Sequence, residues 1–141
     1  MRKQDTYGFT LIEAMAAVAV VSILAAIGFP NYTRYVTNGH LVEAGNTLSD
    51  YRVQMEQFYQ DHRTYGKGGV CGQTVPTGLS DFVIACDVLA EGQAFTATAT
   101  GAASTAGFVY TINQANVRAT TALPSHLGVL PVDAGSRWVT R

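Results

Sequence analysis

Residues 9–30 read FTLIEAMAAVAVVSILAAIGFP, an apolar run that carries a single charge, Glu13. About 20 such residues in a helix cover the roughly 30 Å of hydrocarbon in a bilayer, so the run reads as a membrane span. Arg2 and Lys3 precede it. The positive-inside tendency holds that end in the cytoplasm and exports everything beyond Pro30. A secretory signal also combines a charged start with an apolar stretch. The run here is long for a signal, has a carboxylate near its start, and is flanked by small polar residues on both sides. A generic single-span anchor is the other alternative.

The string Gly8-Phe9-Thr10-Leu11-Ile12-Glu13, followed by the apolar run and Pro30, resembles the N-terminus of the type IV pilins. A short basic leader, a glycine at the cut, an aromatic first residue, a glutamate four positions later and an uninterrupted apolar helix carry the likeness. The resemblance implies cleavage between Gly8 and Phe9 by prepilin peptidase and N-methylation of the new terminus at Phe9. It further implies an assembly platform in the inner membrane and use of the segment as the packed core of a filament. Glu13 can be considered on physical grounds as well. A carboxylate costs about 2.5–3.5 kcal/mol at mid-bilayer and less near a helix end, so a compensating partner is expected. The Phe9 amine of a neighbouring subunit lies at a suitable depth, and pairing with it would set the register of assembly. The alternative is an acid that complements the start of the helix dipole or snorkels to the interface.

Beyond Pro30, Leu41, Ala44, Leu48, Tyr51, Met55 and Phe58 recur at alternating spacings of three and four, a narrow helical stripe. One helix is expected over residues 9–60, its first half in lipid and its second packed on a globular head. Gly28 and Pro30 predict a kink where the apolar run ends, with local flexibility over residues 24–31. Gly39 and Gly45 are further weak points.

After Tyr65 the helical pattern stops at Gly66-Lys67-Gly68-Gly69, which reads as a loop. Strands are expected at 81–86, 95–100, 108–113 and 117–121, where β-branched and aromatic residues concentrate between Gly, Ala and Ser turns. The fold class is therefore α+β, a long N-terminal helix on a roughly four-stranded antiparallel sheet. Residues 1–8 form the leader, 9–30 the transmembrane and filament-core half of the helix, 31–62 its amphipathic half, and 63–141 the head. The tail from Ala122 reads mostly as loop, with Trp138 as a late core plug.

Cys71 and Cys86 lack CxxC or zinc-finger spacing, and a disulfide suits an exported domain; two free buried thiols are the alternative. The head resembles PilE-like type IVa pilins in VQMEQFYQDHRTY at 53–65, AGFVYTINQ at 106–114 and WVT at 138–140. Arg137 stands before Trp138, where those relatives often have a cysteine, so a second, C-terminal disulfide loop is not expected.

A formal net charge of −1 gives no general case for a nucleic-acid binder. Arg118, Arg137 and Arg141 are weak evidence for DNA as a partner. His40, His62 and His126 have neither triad nor metal-ligand spacing, so no enzyme, metal or cofactor is expected. The glycine-rich loop lacks the rest of a phosphate-binding motif. Asn31-Tyr32-Thr33 is read as a chance sequon, and the helix aromatics as packing rather than an electron path. Taken with the resemblance, these readings give a structural subunit of a type IV pilus serving twitching motility, adhesion or DNA uptake. It would reside in the inner membrane before assembly and on the cell surface afterwards, as a homo-oligomer or a co-polymer with other pilins. A type II secretion pseudopilin and a membrane-anchored periplasmic binding domain are the alternatives.

Overall fold

The computed structural model describes residues 9–131 and 133–140, so Gly8, the leader and Arg141 lie outside the described residues. The chain divides into two units, the first ending at Val36 and the second beginning at Thr37.

Helix α1 spans Leu11–His62, 52 residues. Its start is set by Thr10, whose Oγ1 accepts the Glu13 amide at 3.3 Å. Thr10-x-x-Glu13 thus has the sequence of a capping box, in which a threonine satisfies an orphan amide of the first turn. The helix continues through Gly28 and Pro30. Proline offers no N–H to the carbonyl four residues earlier. Beside it, Asn31 Nδ2 donates to the Ile27 carbonyl at 3.1 Å, and Thr33 Oγ1 to the Pro30 carbonyl at 3.0 Å. At the other end Arg63 adopts φ 57°, a left-handed residue that stops the helix while its amide still bonds the Tyr59 carbonyl at 2.7 Å.

In the second unit a sheet of six antiparallel strands runs in chain order. They are β1 (Gly66–Lys67), β2 (Val70–Cys71), β3 (Phe82–Leu89), β4 (Ala94–Gly101), β5 (Val109–Asn113) and β6 (Arg118–Ala122). The four expected strands correspond to β3 through β6. The additional pair replaces part of the expected loop: Gly68 and Gly69, at φ 64° and 83°, form a two-residue turn that lets Lys67 pair with Val70. Two consecutive positive φ angles are what a type I′ hairpin turn requires, and Gly-Gly supplies them without steric cost.

Strand alternation then decides the core. Phe82 and Ile84 on β3, Phe95, Ala97 and Ala99 on β4, and Tyr110 and Ile112 on β5 face inward. They meet Leu41, Ala44, Leu48, Tyr51 and Met55 of α1, all essentially without solvent exposure. Phe58, the last residue of the predicted stripe, is half-buried. The sheet's other face is rich in Thr and Ala, including Thr96, Thr98 and Thr111.

Candidate functional site

Two places in the chain have chemistry that the fold does not consume. The first is the start of α1. Phe9 is 88% exposed just ahead of the helix, and Leu11, Ile12, Met15, Val18, Val21, Ile23, Leu24 and Ile27 are all exposed apolar side chains. An 18-residue window of this helix has a mean hydropathy of 2.3 and none of it is buried within the chain. That much apolar surface is stable only against lipid or against other chains. Glu13 lies in the first helical turn, where its charge complements the partial positive charge of the unsatisfied amides. The capping-box spacing from Thr10 was present in the sequence and identifies a helix start that the apolar pattern alone blurs.

The second place is in the head. Cys71 and Cys86 are disulfide-bonded, with Cα atoms 6.0 Å apart. The bond joins β2 to β3, which otherwise pair at one position, Val70 with Asp87. Tyr51 Oη reaches the carbonyl of Gln73 at 2.9 Å, fixing the loop that follows β2 onto the helix. Burial pushes the Tyr51 phenol up to about 12. Tyr65 is also pushed up to about 12, first by burial and then by its hydrogen bond to the Glu56 carboxylate.

The C-terminal segment is fastened differently, through hydrogen bonds centred on Thr120, which is 3% exposed. Its amide donates to the Ala134 carbonyl at 2.7 Å. Its hydroxyl donates to the Arg137 carbonyl at 3.2 Å and accepts the Val139 amide at 2.9 Å. Tyr110 Oη adds a bond to the Val139 carbonyl. Trp138 Nε1 donates to the Thr111 carbonyl at 3.0 Å, and its ring seats against Gly45, where any Cβ would come within 2.9 Å of it. Gly45 is therefore a notch for the tryptophan, not merely a weak point of the helix. The tail read as loop from the sequence is a bound strap, and a sequence offers no signal for bonds to carbonyls so distant along the chain.

Between this strap and α1 lies a groove of about 380 Å³. Arg118 and Arg137 line it together with Asn46, Trp138 and Thr140, and among the described residues no acid does. The Arg118 guanidinium lies 5.0 Å over the Trp138 ring, and Arg137 pairs with Asp133. The three histidines lie apart: His40 is 3.6 Å from Glu43 within α1, His62 stacks on Phe58 at the end of the same helix, and His126 is in the turn Ser125–Leu127.

A capped apolar helix with one acid, joined to an amphipathic continuation under an antiparallel sheet, defines the pilin class. In agreement, residues 3–29 match the prokaryotic N-terminal methylation motif. Residues 30–109 match the family described as type IV minor pilin ComP, DNA uptake sequence receptor, and the chain belongs to that family. The chain is 33% identical to the fimbrial protein EcpC of Eikenella corrodens over 100 residues, covering 71% of this chain and 65% of the relative. It is 38% identical to the prepilin peptidase-dependent protein D of Escherichia coli (strain K12) over 55 residues, covering 39% and 38%. Over 69 residues it is 32% identical to the type IV major pilin protein PilE1 of Neisseria gonorrhoeae, covering 49% and 32%. The chain spans less than two thirds of the length of each of these relatives. No solved structure matches it.

Proposed function

We propose that this chain is a pilus subunit that is cut between Gly8 and Phe9 by prepilin peptidase and methylated at the Phe9 amine. It is then drawn from the inner membrane into a surface filament by an assembly platform. The carrying observation is the wholly exposed apolar first half of α1, whose one charge is Glu13. In this reading residues 1–8 are removed, residues 9–30 pass from lipid into the filament core, and residues 31–62 carry the head. Glu13 pairs with the Phe9 amine of a neighbouring copy, and Gly28 with Pro30 gives the helix its compliant point.

Among motility, adhesion and DNA uptake, the family description favours a minor pilin that serves DNA uptake. The chain's near-neutral charge gives one copy little general electrostatic attraction for DNA, so in this reading DNA is held by the assembled pilus. Mass spectrometry of sheared filaments beside whole membranes tests the main reading. Methyl-Phe9 as the terminus in sheared material supports it, with trace abundance matching a minor pilin and high abundance a major one. Confinement of the modified chain to membranes would favour a secretion pseudopilin. A chain still beginning at Met1 in cells with prepilin peptidase would leave a membrane-anchored periplasmic domain. Loss of transformation, with piliation intact, on deleting the gene supports the DNA-uptake role.

A further inference from the structure

The groove beside Trp138 has a composition that the filament role leaves unused. Beyond residue 30 the chain has seven bases and eight acids. Even so, among the described residues the groove is lined by two arginines and by no acid. Arg137 is already neutralised by Asp133, with Nη2 and Oδ1 3.1 Å apart. Arg118 has no carboxylate partner among the described residues. Its guanidinium is nevertheless held in place over Trp138, which is itself fixed by Thr111 and Gly45. A guanidinium positioned in this way presents a planar fork for a bidentate oxyanion. Around it Asn46 contributes an exposed amide, and Thr140 an exposed hydroxyl, while Leu41 and Val42 supply apolar floor.

We propose that this groove binds an acidic sugar residue of a surface polysaccharide. The sugar carboxylate lies on Arg118, and its hydroxyls reach Asn46 and Thr140. The volume is in the range of small-ligand sites and suits one or two sugar rings. A nucleic-acid strand suits the groove less well. Single-strand sites stack bases on open aromatic faces and track the backbone with many cations. Here the tryptophan ring bears Arg118, which among the described residues is the one unpaired cation in the groove.

The test is a titration of the full chain in detergent with three probes. These are a galacturonate oligomer, a neutral glucose oligomer of equal length, and a single-stranded oligonucleotide. Trp138, the only tryptophan, reports occupancy by its emission. The uronate oligomer is expected to bind in preference to the other two. Arg118→Gln is expected to weaken it about tenfold or more, and Asn46→Ala to weaken it less. Both positions are exposed, and retained circular dichroism with normal filament incorporation establishes that the variants fold. Lys67→Gln, on the hairpin, is expected to leave binding unchanged. Equal binding of the neutral oligomer, or no effect of Arg118→Gln in a folded variant, overturns the proposal. Tighter binding of the oligonucleotide that is lost in Arg118→Gln overturns it in favour of a nucleic-acid groove.

Discussion

At the scale of single residues, Glu13 and Thr120 show how differently a side chain can matter. Glu13 is exposed within one copy, so its replacement by Gln leaves the head and its core untouched. Glutamine retains hydrogen-bonding capacity near the helix start but loses the charge required for an ion pair. Glu13→Gln is expected to insert in the membrane normally and to reduce filament yield, measured by immunoblot of sheared and membrane fractions; unchanged yield would dispose of the pairing with Phe9. Thr120 is buried, and its hydroxyl serves both a carbonyl and an amide of the strap. Valine has nearly its shape and neither bond. Leaving both backbone groups unpaired costs about 1–3 kcal/mol each where they stay buried. Thr120→Val should lower stability by about that amount and shift the emission of Trp138 to the red as the strap loosens. An unshifted spectrum would show that Trp138 and Tyr110 hold the strap without Thr120. Asp81 offers a pH test. Hydrogen bonds from the Ser104 hydroxyl and amide hold its carboxyl below the ordinary carboxylate range, despite some opposing desolvation. A depressed folded value stabilises above the unfolded value, near pH 4, and that contribution disappears as pH falls through the folded one. The gap in thermal midpoint between the protein and Asp81→Asn is therefore expected at neutral pH and should close in acid.

At the scale of elements, what the sequence revealed depended on whether the deciding contact was local. The α1 stripe from Leu41 to Met55 was visible because a period of 3.6 places those residues on one face, and that face is the one the sheet buries. The four longer strands were visible through their β-branched and aromatic content, although β3 and β4 both extend beyond the expected bounds. The β1–β2 hairpin was missed because two residues per strand are too few to show alternation. Its one signal was the Gly68-Gly69 pair, which also serves in flexible loops. In the candidate groove, Arg118 and Arg137 were legible only as dispersed charges, since Trp138 and the Thr120 bonds bring them together through tertiary contacts. The disulfide was favoured by compartment, and its mechanical role emerges only with the sheet, where it ties down a hairpin held to β3 by one pair. Replacing both cysteines by Ala is expected to cost about 3 kcal/mol in the chain-entropy account of a closed loop of this size. Denaturant unfolding of the full chain in detergent measures it, and hydrogen exchange should show the loss first at residues 66–73.

At the scale of the whole molecule, charge constrains any role in DNA uptake. A protein that neutralises Z phosphates shows a slope of about −0.9Z in log affinity against log salt on duplex DNA. Seven bases and eight acids after residue 30 leave no net positive charge to draw in DNA, and Arg137 is already paired. One copy in detergent is therefore expected to bind duplex DNA weakly, with a slope no steeper than about −2. A filament presents many subunits along one axis, this chain among them, and linking weak contacts raises the overall affinity without strengthening any of them. Filaments should accordingly bind the same duplex more tightly and with a steeper slope than the dispersed subunit. Fluorescence anisotropy across a salt series distinguishes the two states. A steep slope already present in the single copy would mean that its few arginines form a dedicated DNA surface. A shallow slope in both would mean that the filament itself makes few phosphate contacts and would leave this chain with the structural part of the task.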